Sequence, residues 1–367
     1  MLKQNKYYSY NNKELPKGCQ YCVKGEKLVV FITGICPRKC CFCPVSDQKY
    51  QEDVTFANER KVDNFTDVVA EAEAMQAKGA GITGGDPLAK LERTLEYITK
   101  LKEKFGKEFH IHLYTSLNLV NEETLEKLFS VGLDEIRFHL DLDDDKLWDK
   151  LKLAKKFSWD VGVELPLIPG KKYIKLIDFI KDKVDFLNLN ELETADNEQY
   201  NLSTEIKDNL SYAVKGSMEL GLELLEKYPD MTIHLCTAKL KDKIQLSERI
   251  KREAQQVKHS FDIVDKEGML TRGALYLEEL KPGFDYRKKL EENNDALLDK
   301  FEKVLPRLRK KFAKDEFFLD MKKPRILTSK KLVKKKKAYF INLKLVPAVV
   351  TEYPTADQLE IEVEFLG

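Results

Sequence analysis

The sequence predicts an α/β fold built on a parallel sheet, followed by a smaller C-terminal α+β module. From about residue 27 to residue 240, short β-rich runs alternate with amphipathic helical segments. Strands separated by single helices are typical of right-handed βαβ units. After residue 240 this alternation stops. We therefore predict an N-terminal extension, an α/β region and a C-terminal module, with bounds 1–26, 27–240 and 241–367.

Seven segments of the α/β region have the composition of strands, and the segments between them have the periodicity of helices. The strand candidates are 28–33, 80–83, 109–114, 135–141, 160–166, 186–190 and 231–235, and the helix candidates include 65–78, 88–105, 122–131, 171–183 and 204–227. Six or so such units could form a full barrel, a partial (β/α) barrel or a doubly wound sheet. Periodicity alone does not choose between these.

The C-terminal module contains a hairpin, a helix and further strands. A turn joins 261–264 to 269–276, residues 286–312 form a long charged helical pattern, and 338–350 and 358–365 alternate like strands. Residues 322–337 hold nine basic and no acidic residues, whereas the last sixteen residues hold five acidic and no basic ones. The basic stretch is either a solvated lysine-rich surface or an RNA-binding patch, with Tyr339 and Phe340 available to stack on bases.

The composition is that of an ordinary globular protein. The 367 residues are 43% hydrophobic, and 63 basic residues against 62 acidic ones leave a net charge of +1. No run of about 18 apolar residues predicts a membrane span. The first residues lack the apolar core of a secretory signal, so a cytoplasmic location is expected. The charged share of 34%, mostly Lys and Glu, is typical of thermophilic proteins.

The seven cysteines are the most informative residues, because six of them lie between positions 19 and 43. An odd, clustered set in a chain without a secretory signal indicates metal ligation or redox chemistry rather than disulfides. Cys36, Cys40 and Cys43 follow the first strand with Cys-x3-Cys-x2-Cys spacing. Three thiolates on one loop can hold a 4Fe–4S cluster with one iron left open. Zinc is the alternative, but a structural zinc site needs four protein ligands. Cys41 should point away from the other three.

This motif, with Phe42 just before its last cysteine, resembles the radical S-adenosylmethionine (AdoMet) superfamily. Gly84-Gly85-Asp86-Pro87, after the second strand, is similar to the Gly-Gly-Glu motif that holds the AdoMet amino group, with Asp86 in place of Glu. Further similar segments end the following strands: 114–116 with Ser116, 138–141 with His139 and Asp141, and 165–170 with Ile168. The resemblance covers residues 28–240 and is closest in style to the pyruvate formate-lyase activating enzyme group.

The resemblance implies a partial (β/α)6 barrel and a defined chemistry. A 4Fe–4S cluster on the three cysteines would bind AdoMet, and a ferredoxin- or flavodoxin-like reductant would supply one electron. AdoMet would then be cleaved to methionine and a 5′-deoxyadenosyl radical. The ring of Phe42 would lie near the adenine, and Ser116 and Asp141 are candidates for ribose or carboxylate contacts, since ligands of such folds bind at the carboxyl ends of the strands.

Four residues outside the motif could form a second metal site. Cys19 and Cys22 form a Cys-x2-Cys pair, and His234 and Cys236 share one face of the last strand. Together they could hold zinc or a second Fe–S cluster. The alternative is a free thiol pair and a buried strand cysteine.

The substrate is expected at the same strand ends. Asn188 and Asn190 alternate with leucines, which is unusual for a buried parallel strand and indicates a polar face directed inward. Glu191 and Glu193 follow them, and His139 and Glu164 are weaker candidates.

Three functions fit these patterns. The first is radical modification of RNA, tentatively tRNA, with the basic stretch 322–337 as its anchor. The second is radical chemistry on a small metabolite or on a glycyl-radical protein. The third is a non-catalytic metal- or RNA-binding protein, which the intact cysteine motif argues against.

Overall fold

The computed structural model describes residues 2–209, 211–292 and 294–367. Contacts divide the chain into two compact units, Met1–Arg249 and Ile250–Gly367. This division lies slightly beyond the boundary after residue 240 that the sequence pattern indicates. The N-terminal extension belongs to the first unit.

The elements of the first unit alternate as expected. Its strands are β1 (Tyr10–Asn11), β2 (Lys27–Phe31), β3 (Phe56–Ala57), β4 (Arg60–Lys61), β5 (Gly79–Thr83), β6 (His110–Ser116), β7 (Glu135–His139), β8 (Asp160–Leu167), β9 (Phe186–Glu191) and β10 (Ile233–Cys236). Its helices are α1 (Lys17–Cys22), α2 (Phe65–Ala74), α3 (Leu91–Phe105), α4 (Glu122–Ser130), α5 (Leu151–Ala154), α6 (Ile174–Ile180), α7 (Ser217–Lys227) and α8 (Ala238–Leu240). The π-helical segment Lys241–Leu246 leads into α9 (Ser247–Val257), which contains the division between the units.

The sheet of the first unit is a partial barrel. Its strand order is β1-β10-β9-β8-β7-β6-β5-β2-β3-β4, and all pairs from β10 to β2 are parallel. All seven predicted strands are therefore present, and the predicted α/β class is confirmed. The strands β10 and β2 are not neighbours, so a seam separates the two ends of the parallel sheet.

The N-terminal extension completes the barrel at one edge and at its floor. Strand β1 pairs antiparallel with β10, and α1 packs against β2, β5 and β6. The backbone N–H of Gly18 donates to Glu135 Oε2 at 3.0 Å. A Cβ on Gly18 would lie only 2.6 Å from Arg137 Nη2 and 2.7 Å from His112 Nδ1, so this position has room only for glycine. The short helix α1 thus reaches the inner side chains of the barrel.

The parallel strands are apolar outside and polar inside. The outward residues, such as Val30, Ile82 and Leu113, pack in one large core with the helices. Parallel strands covered on both faces normally carry apolar side chains on both. Here the inward positions carry a set of polar side chains that we call the polar wall: Tyr114, Arg137, Glu164, Asn188, Asn190 and His234.

The second unit is an antiparallel sheet with helices. Its strands are β11 (Ile263–Val264), β12 (Leu270–Tyr276), β13 (Phe318–Asp320), β14 (Arg325–Thr328), β15 (Val346–Glu352) and β16 (Glu360–Phe365). Its helices are α10 (Tyr286–Glu292), α11 (Asn294–Lys311), α12 (Lys330–Lys335) and α13 (Lys337–Asn342). The strand order is β13-β14-β12-β15-β16, and β11 pairs with β12. The hairpin of β11 and β12 matches the sequence pattern.

The start of the predicted strand 338–350 is wrong, because α13 occupies residues up to Asn342. Phe340 is fully buried in the core of the second unit, and Tyr339 packs against Phe312. These rings therefore follow a helical period rather than the alternation of a strand. Phe340 is not available to stack on a base.

The acidic tail pairs with the basic stretch. Lys323 contacts Glu360 at 2.8 Å, Lys334 contacts Glu364 at 2.9 Å, and Arg325 contacts Glu352 at 2.8 Å. The nearly neutral composition thus reflects local neutralisation within the second unit. None of the helices in the described part of the chain combines the length and the apolar character needed to cross a bilayer.

Candidate radical AdoMet site

A cavity of about 790 Å³ fills the interior of the partial barrel. Residues 34–43, which we call the cluster loop, form its upper wall, and Gly84, Gly85 and Ser116 lie at the neighbouring strand ends. The polar wall and the α1 cysteines line the deeper part. One continuous cavity, open to solvent, therefore connects the cysteine motif with the predicted substrate residues.

Three of the cysteines in the cluster loop lie on the cavity wall. Cys36, Cys40 and Cys43 line the cavity, and the loop turns so that the N–H of Cys43 donates to the carbonyl of Cys40 at 3.1 Å. Among the described cysteines of this loop, only Cys41 lies outside the cavity lining. The arrangement agrees with the separation of Cys41 from the other three that the sequence indicates.

The donor set fits an iron–sulfur cluster better than a single metal ion. Within the described chain, no three His, Cys, Asp or Glu side chains are placed to hold one metal ion. A single zinc ion needs ligand atoms at about 2.0–2.3 Å from one centre. A cluster with several irons takes one thiolate on each of three irons, so its ligands stand farther apart. Cys36, Cys40 and Cys43 line one cavity, and three thiolates supply one ligand to each of three irons.

The three thiols are protonated when no metal is bound. Burial raises the pKa of Cys36 to about 11 and also raises the pKa values of Cys40 and Cys43. The Arg38 guanidinium acts in the opposite direction on the pKa of Cys40 and is the largest influence there after burial. Cluster binding would therefore release protons from this loop.

The Gly84-Gly85 pair allows the β5 turn to approach the cluster loop. A Cβ on Gly85 would lie 2.5 Å from Gly34 O and 2.6 Å from Ile35 O, which is closer than real contacts allow. The N–H of Gly85 donates to Thr33 O at 2.7 Å, and the N–H of Asp86 donates to Ile35 O at 2.9 Å. Both glycines line the cavity beside the cysteines.

The expected direct contact between Asp86 and AdoMet is not supported. Asp86 is 1% exposed and does not line the cavity. Its carboxylate accepts hydrogen bonds from Thr115 Oγ1 at 2.8 Å, Ser116 Oγ at 2.7 Å and the Leu88 N–H at 3.1 Å. Because aspartate is one methylene shorter than the glutamate of the family motif, its carboxylate stays in the turn. It holds Ser116, which does line the cavity.

Replacing Asp86 with alanine is expected to destabilise the first unit by about 2–4 kcal/mol. The change removes the cap of the short 3-10 helix and leaves the buried hydroxyl groups of Thr115 and Ser116 without their acceptor. D86N keeps the volume and one acceptor oxygen, so a smaller loss is expected. Urea denaturation of both variants measures this. S116A serves as the control that removes only one of the donors. Equal stability of D86A and the parent protein would contradict the network.

Three other predicted cofactor contacts lie outside the cavity lining. Pro87 is buried at the start of a short 3-10 helix, and Ile168 packs with Phe42 and Leu192 in a small apolar cluster. Asp141 forms an ion pair with Arg38 at 3.0 Å. Ile168 and Asp141 therefore contact Phe42 and Arg38 of the cluster loop, and their own contacts with AdoMet stay predictions.

Phe42 itself lines the cavity and contacts His139. The two ring centroids lie 5.4 Å apart. Burial lowers the pKa of His139 to about 4, so this imidazole is neutral at pH 7. The two ring planes are tilted by 38°, so the pair offers an uncharged aromatic corner beside the cysteines, against which a purine base could pack.

The long connection between β9 and α7 crosses the cluster loop. We call residues 192–216 the strap, of which 192–209 and 211–216 are described. Tyr200 forms a β-bridge with Phe42, the N–H of Asn201 donates to Cys41 O at 2.7 Å, and Asn197 Nδ2 donates to Cys43 O at 3.1 Å. Connections this long are usually functional. Sequence patterns did not reveal the strap, because they predicted a helix from residue 204.

The four residues of the predicted second metal site lie together in the deep part of the cavity. His234 is already engaged at both ring nitrogens, with Asn188 Oδ1 at 2.8 Å and Ser9 Oγ at 3.1 Å. Cys19 Sγ lies 3.5 Å from Arg137 Nη2. A zinc ion or a second Fe–S cluster on Cys19, Cys22, His234 and Cys236 stays a prediction.

The predicted substrate residues join one hydrogen-bond network. Asn188 Nδ2 and Asn190 Nδ2 each donate to Glu164 at 2.9 Å, and Arg137 Nη1 donates to the same carboxylate at 2.8 Å. Burial alone would raise the pKa of Glu164, but Arg137 and the two amides hold it below its usual value. Glu164 therefore carries its charge inside the barrel.

Glu191 and Glu193 lie at the rim of the cavity. Glu191 accepts a hydrogen bond from the Ala238 N–H at 2.8 Å, and Glu193 pairs with Lys241. Arg137 and Lys241 also line the cavity, although the sequence pattern did not indicate them. Arg137 lies two residues before His139 on the same strand, so the two side chains share one face. This spacing could have indicated Arg137 as an inward residue.

The seam of the barrel is bridged by an ion pair. Arg249 Nη1 donates to Glu59 Oε2 at 2.8 Å, and the second nitrogen of the same guanidinium contacts the other carboxylate oxygen. Both residues line the cavity, together with Gln245 and Leu246 from the preceding π-helical segment.

Comparison with known proteins identifies the family. The model of the Radical SAM superfamily matches residues 30–184. A protein of Methanocaldococcus jannaschii named "Putative glycyl-radical enzyme activating enzyme" is 36% identical over 374 residues, covering 97% of this chain and 94% of the relative.

Two solved structures are also similar, both at low sequence identity. Methylornithine synthase is 14% identical with a TM-score of 0.41, covering 56% of this chain and 63% of its own. Coproporphyrinogen III oxidase from Escherichia coli is 10% identical with a TM-score of 0.36, covering 94% of this chain and 95% of its own. The family is shown by the sequence matches, and its cofactors are a 4Fe–4S cluster and AdoMet. The chain belongs to the radical SAM superfamily of enzymes.

Proposed function

We propose that this chain binds its 4Fe–4S cluster through Cys36, Cys40 and Cys43 and abstracts hydrogen from a substrate inside the barrel. The observation that carries the proposal is the single cavity, which the three cysteines and the polar wall line together. When bound, the reduced cluster supplies the electron that breaks AdoMet into methionine and a 5′-deoxyadenosyl radical. A one-electron reductant of the ferredoxin or flavodoxin class completes the system.

The chain's own residues orient AdoMet and keep water away. Gly84 and Gly85 offer a backbone surface without side chains next to the cysteines, and Ser116 offers a hydroxyl that Asp86 fixes in place. The tilted rings of Phe42 and His139 provide an aromatic surface for the adenine ring. The strap covers the outer side of the cluster loop, so solvent reaches this part of the cavity less easily.

For the substrate, we favour a glycine residue in a partner protein. The support is the name of the relative from M. jannaschii, which matches nearly the whole chain and not only the barrel. In this reaction, the radical takes a hydrogen atom from the glycine Cα, which leaves 5′-deoxyadenosine and a glycyl radical. A loop of the partner would enter at the carboxyl ends of the strands.

A small polar metabolite is the second candidate. It is favoured by the depth of the polar wall, which continues below the cluster loop to α1 with Asn188, Glu164 and Arg137. An inserted peptide loop needs no such set of buried polar groups, whereas a small ligand uses a few of them for orientation.

Modification of tRNA has less support. Phe340 is buried, and three cations of the basic stretch pair with carboxylates of the acidic tail. Electrostatic RNA binding would show as an affinity that falls steeply with salt. We expect no measurable tRNA binding to the full chain at 150 mM salt. Tight binding with a steep salt slope would restore the RNA proposal.

The experiment for the proposed function uses anaerobically purified, reconstituted full-length protein. Dithionite and AdoMet are added, and 5′-deoxyadenosine and methionine are measured by chromatography. About four irons per chain and formation of 5′-deoxyadenosine are expected. A glycyl-radical protein from the source organism is then added, and a glycyl doublet in the EPR spectrum is expected. A loaded cluster without 5′-deoxyadenosine would overturn the proposal, and 5′-deoxyadenosine without a doublet would favour the metabolite.

A further inference from the structure

Arg38 lies inside the cysteine motif, and both its backbone and its side chain form hydrogen bonds. Its backbone N–H points to Cys36 Sγ at 3.4 Å. Its side chain donates from Nη1 to the carbonyl of His139 at 2.9 Å and from Nη2 to Asp141 Oδ2 at 3.0 Å. The residue therefore links the cluster loop to the carboxyl end of β7 through a two-pronged contact, which only a planar guanidinium can make.

The guanidinium cannot turn away into solvent. The Arg38 side chain is 14% exposed, while its partner Asp141 is 45% exposed. Arg38 also lines the cavity, next to Cys36 and Cys40. The neighbouring Lys39 is exposed and has the same formal charge. A buried charge in a fixed position acts strongly on its surroundings, whereas an exposed lysine is screened by water and salt.

A positive charge at this place has a predictable effect on an iron–sulfur cluster. The reduction potential of such clusters depends on the net charge around them, on hydrogen bonds to the sulfurs and on solvent exposure. A cation stabilises the reduced state, which carries one more negative charge. An N–H directed at a ligand sulfur acts in the same direction. Arg38 provides the guanidinium, and its anchored backbone provides the N–H.

We propose that Arg38 is a positioning residue that raises the reduction potential of the cluster and so brings it within reach of a biological electron donor. Asp141 and the His139 carbonyl hold the guanidinium at the cluster loop, which gives Asp141 a function in cluster tuning rather than in AdoMet binding. The inference rests on the proposed ligation of the cluster by Cys36, Cys40 and Cys43. No group is transferred, and the electron comes from the external reductant.

The test measures the midpoint potential of the cluster by EPR-monitored redox titration of full-length protein. In R38Q, about tenfold less reduced cluster is expected at a fixed solution potential, because one partly screened charge is lost. For one electron this corresponds to a midpoint shift of about 59 mV to more negative values. The control K39Q removes the same formal charge one residue away and is expected to leave the potential unchanged.

A second readout separates tuning from structural damage. With dithionite as reductant, R38Q is expected to form 5′-deoxyadenosine about tenfold more slowly than the parent protein, in proportion to the reduced cluster. With titanium(III) citrate, a stronger reductant, the rate is expected to return to the parent level. A defect in folding, in cluster assembly or in AdoMet binding would persist with both reductants. Persistence of the defect with titanium(III) citrate would overturn the inference.

The outcomes also separate this inference from the proposed function. If the parent protein shows no EPR signal of a reduced 4Fe–4S cluster, the proposed ligation fails. If the parent protein shows the signal and R38Q has the same midpoint potential, only the role of Arg38 fails. Should R38Q not retain its cluster, R38M is measured instead. Methionine removes the charge and keeps an unbranched side chain, so a negative shift is again expected, and an unchanged potential would refute the inference.

Discussion

Serine at position 40 is expected to abolish AdoMet cleavage, whereas serine at the adjacent position 41 is expected to leave it nearly unchanged. Cys40 lines the cavity with Cys36 and Cys43, and serine is a poor ligand for iron. Loss of residues that only orient a metal ligand typically costs 10–100-fold, so loss of the ligand itself should cost at least about a hundredfold. Iron content and the rate of 5′-deoxyadenosine formation are the measurements.

C41S is a suitable control because Cys41 contacts the strap through its backbone and not through its thiol. Its carbonyl accepts the hydrogen bond from Asn201 in the strap, and its half-buried side chain does not line the cavity. C41S keeps that carbonyl and changes the same atom type in the same loop. If C41S lost its cluster as C40S does, the assignment of the ligands would be wrong. If C40S kept four irons and full activity, the proposed function would lose its central observation.

The sequence was sufficient for the parts of the fold that depend on local pattern. Each of the seven parallel strands is a short run with β-branched or aromatic residues, and the polar alternation around Asn188 and Asn190 correctly indicated an inward polar face. The cysteine spacing belongs to one short loop, so it could be interpreted without any knowledge of tertiary contacts.

Local pattern does not show which contacts form between segments that are distant in sequence. Asp86 is a candidate for contact with AdoMet, and Thr115 and Ser116 from the next strand donate to its carboxylate. Asp141 is a candidate for a ribose or carboxylate contact, and Arg38 of the cluster loop forms an ion pair with it. Short acidic side chains have several possible donors within reach, and only the three-dimensional arrangement decides which donor is used.

The strap and the floor of the barrel could not be predicted for the same reason. The pairing of Tyr200 with Phe42 and the insertion of Gly18 beside Arg137 leave no periodic signal in either segment. In the second unit, α13 was mistaken for a strand because Tyr339 and Phe340 have strand-like composition, and tertiary packing of Phe340 decided for the helix.

Replacing Arg137 with methionine is expected to destabilise the first unit by about 3–5 kcal/mol at pH 7, because one cation then no longer compensates two buried carboxylates. Arg137 is 1% exposed and contacts Glu135 at 2.5 Å and Glu164 at 2.8 Å. Denaturation monitored by circular dichroism measures the loss. K146M, which breaks the exposed pair of Lys146 with Asp144, is the control and should have little effect.

The stability difference between the parent protein and R137M is expected to depend on pH. In the parent protein the pKa of Glu164 is lowered, so its charged form adds stability at pH 7, and that stability is lost as the pH falls below about 4.3. Without Arg137, only the two amides oppose the effect of burial, so we expect the pKa of Glu164 to rise above its unfolded value. The variant then loses stability as the pH rises through this raised pKa. The difference between the two proteins should therefore shrink from pH 7 toward pH 5.

The same substitution should loosen the floor of the barrel before it unfolds the unit. Gly18 of α1 donates to Glu135, and Cys19 Sγ lies 3.5 Å from Arg137, so the position of α1 depends on this ion pair network. Cys19 is buried, and burial raises the pKa of its thiol, which makes it a slow target for alkylation. In R137M, faster labelling of Cys19 by iodoacetamide is expected, measured by peptide mass spectrometry, with Cys41 as the internal reference. Unchanged labelling together with unchanged stability would show that the buried carboxylates are accommodated without Arg137, and the polar wall would then have to be explained by its ligand alone.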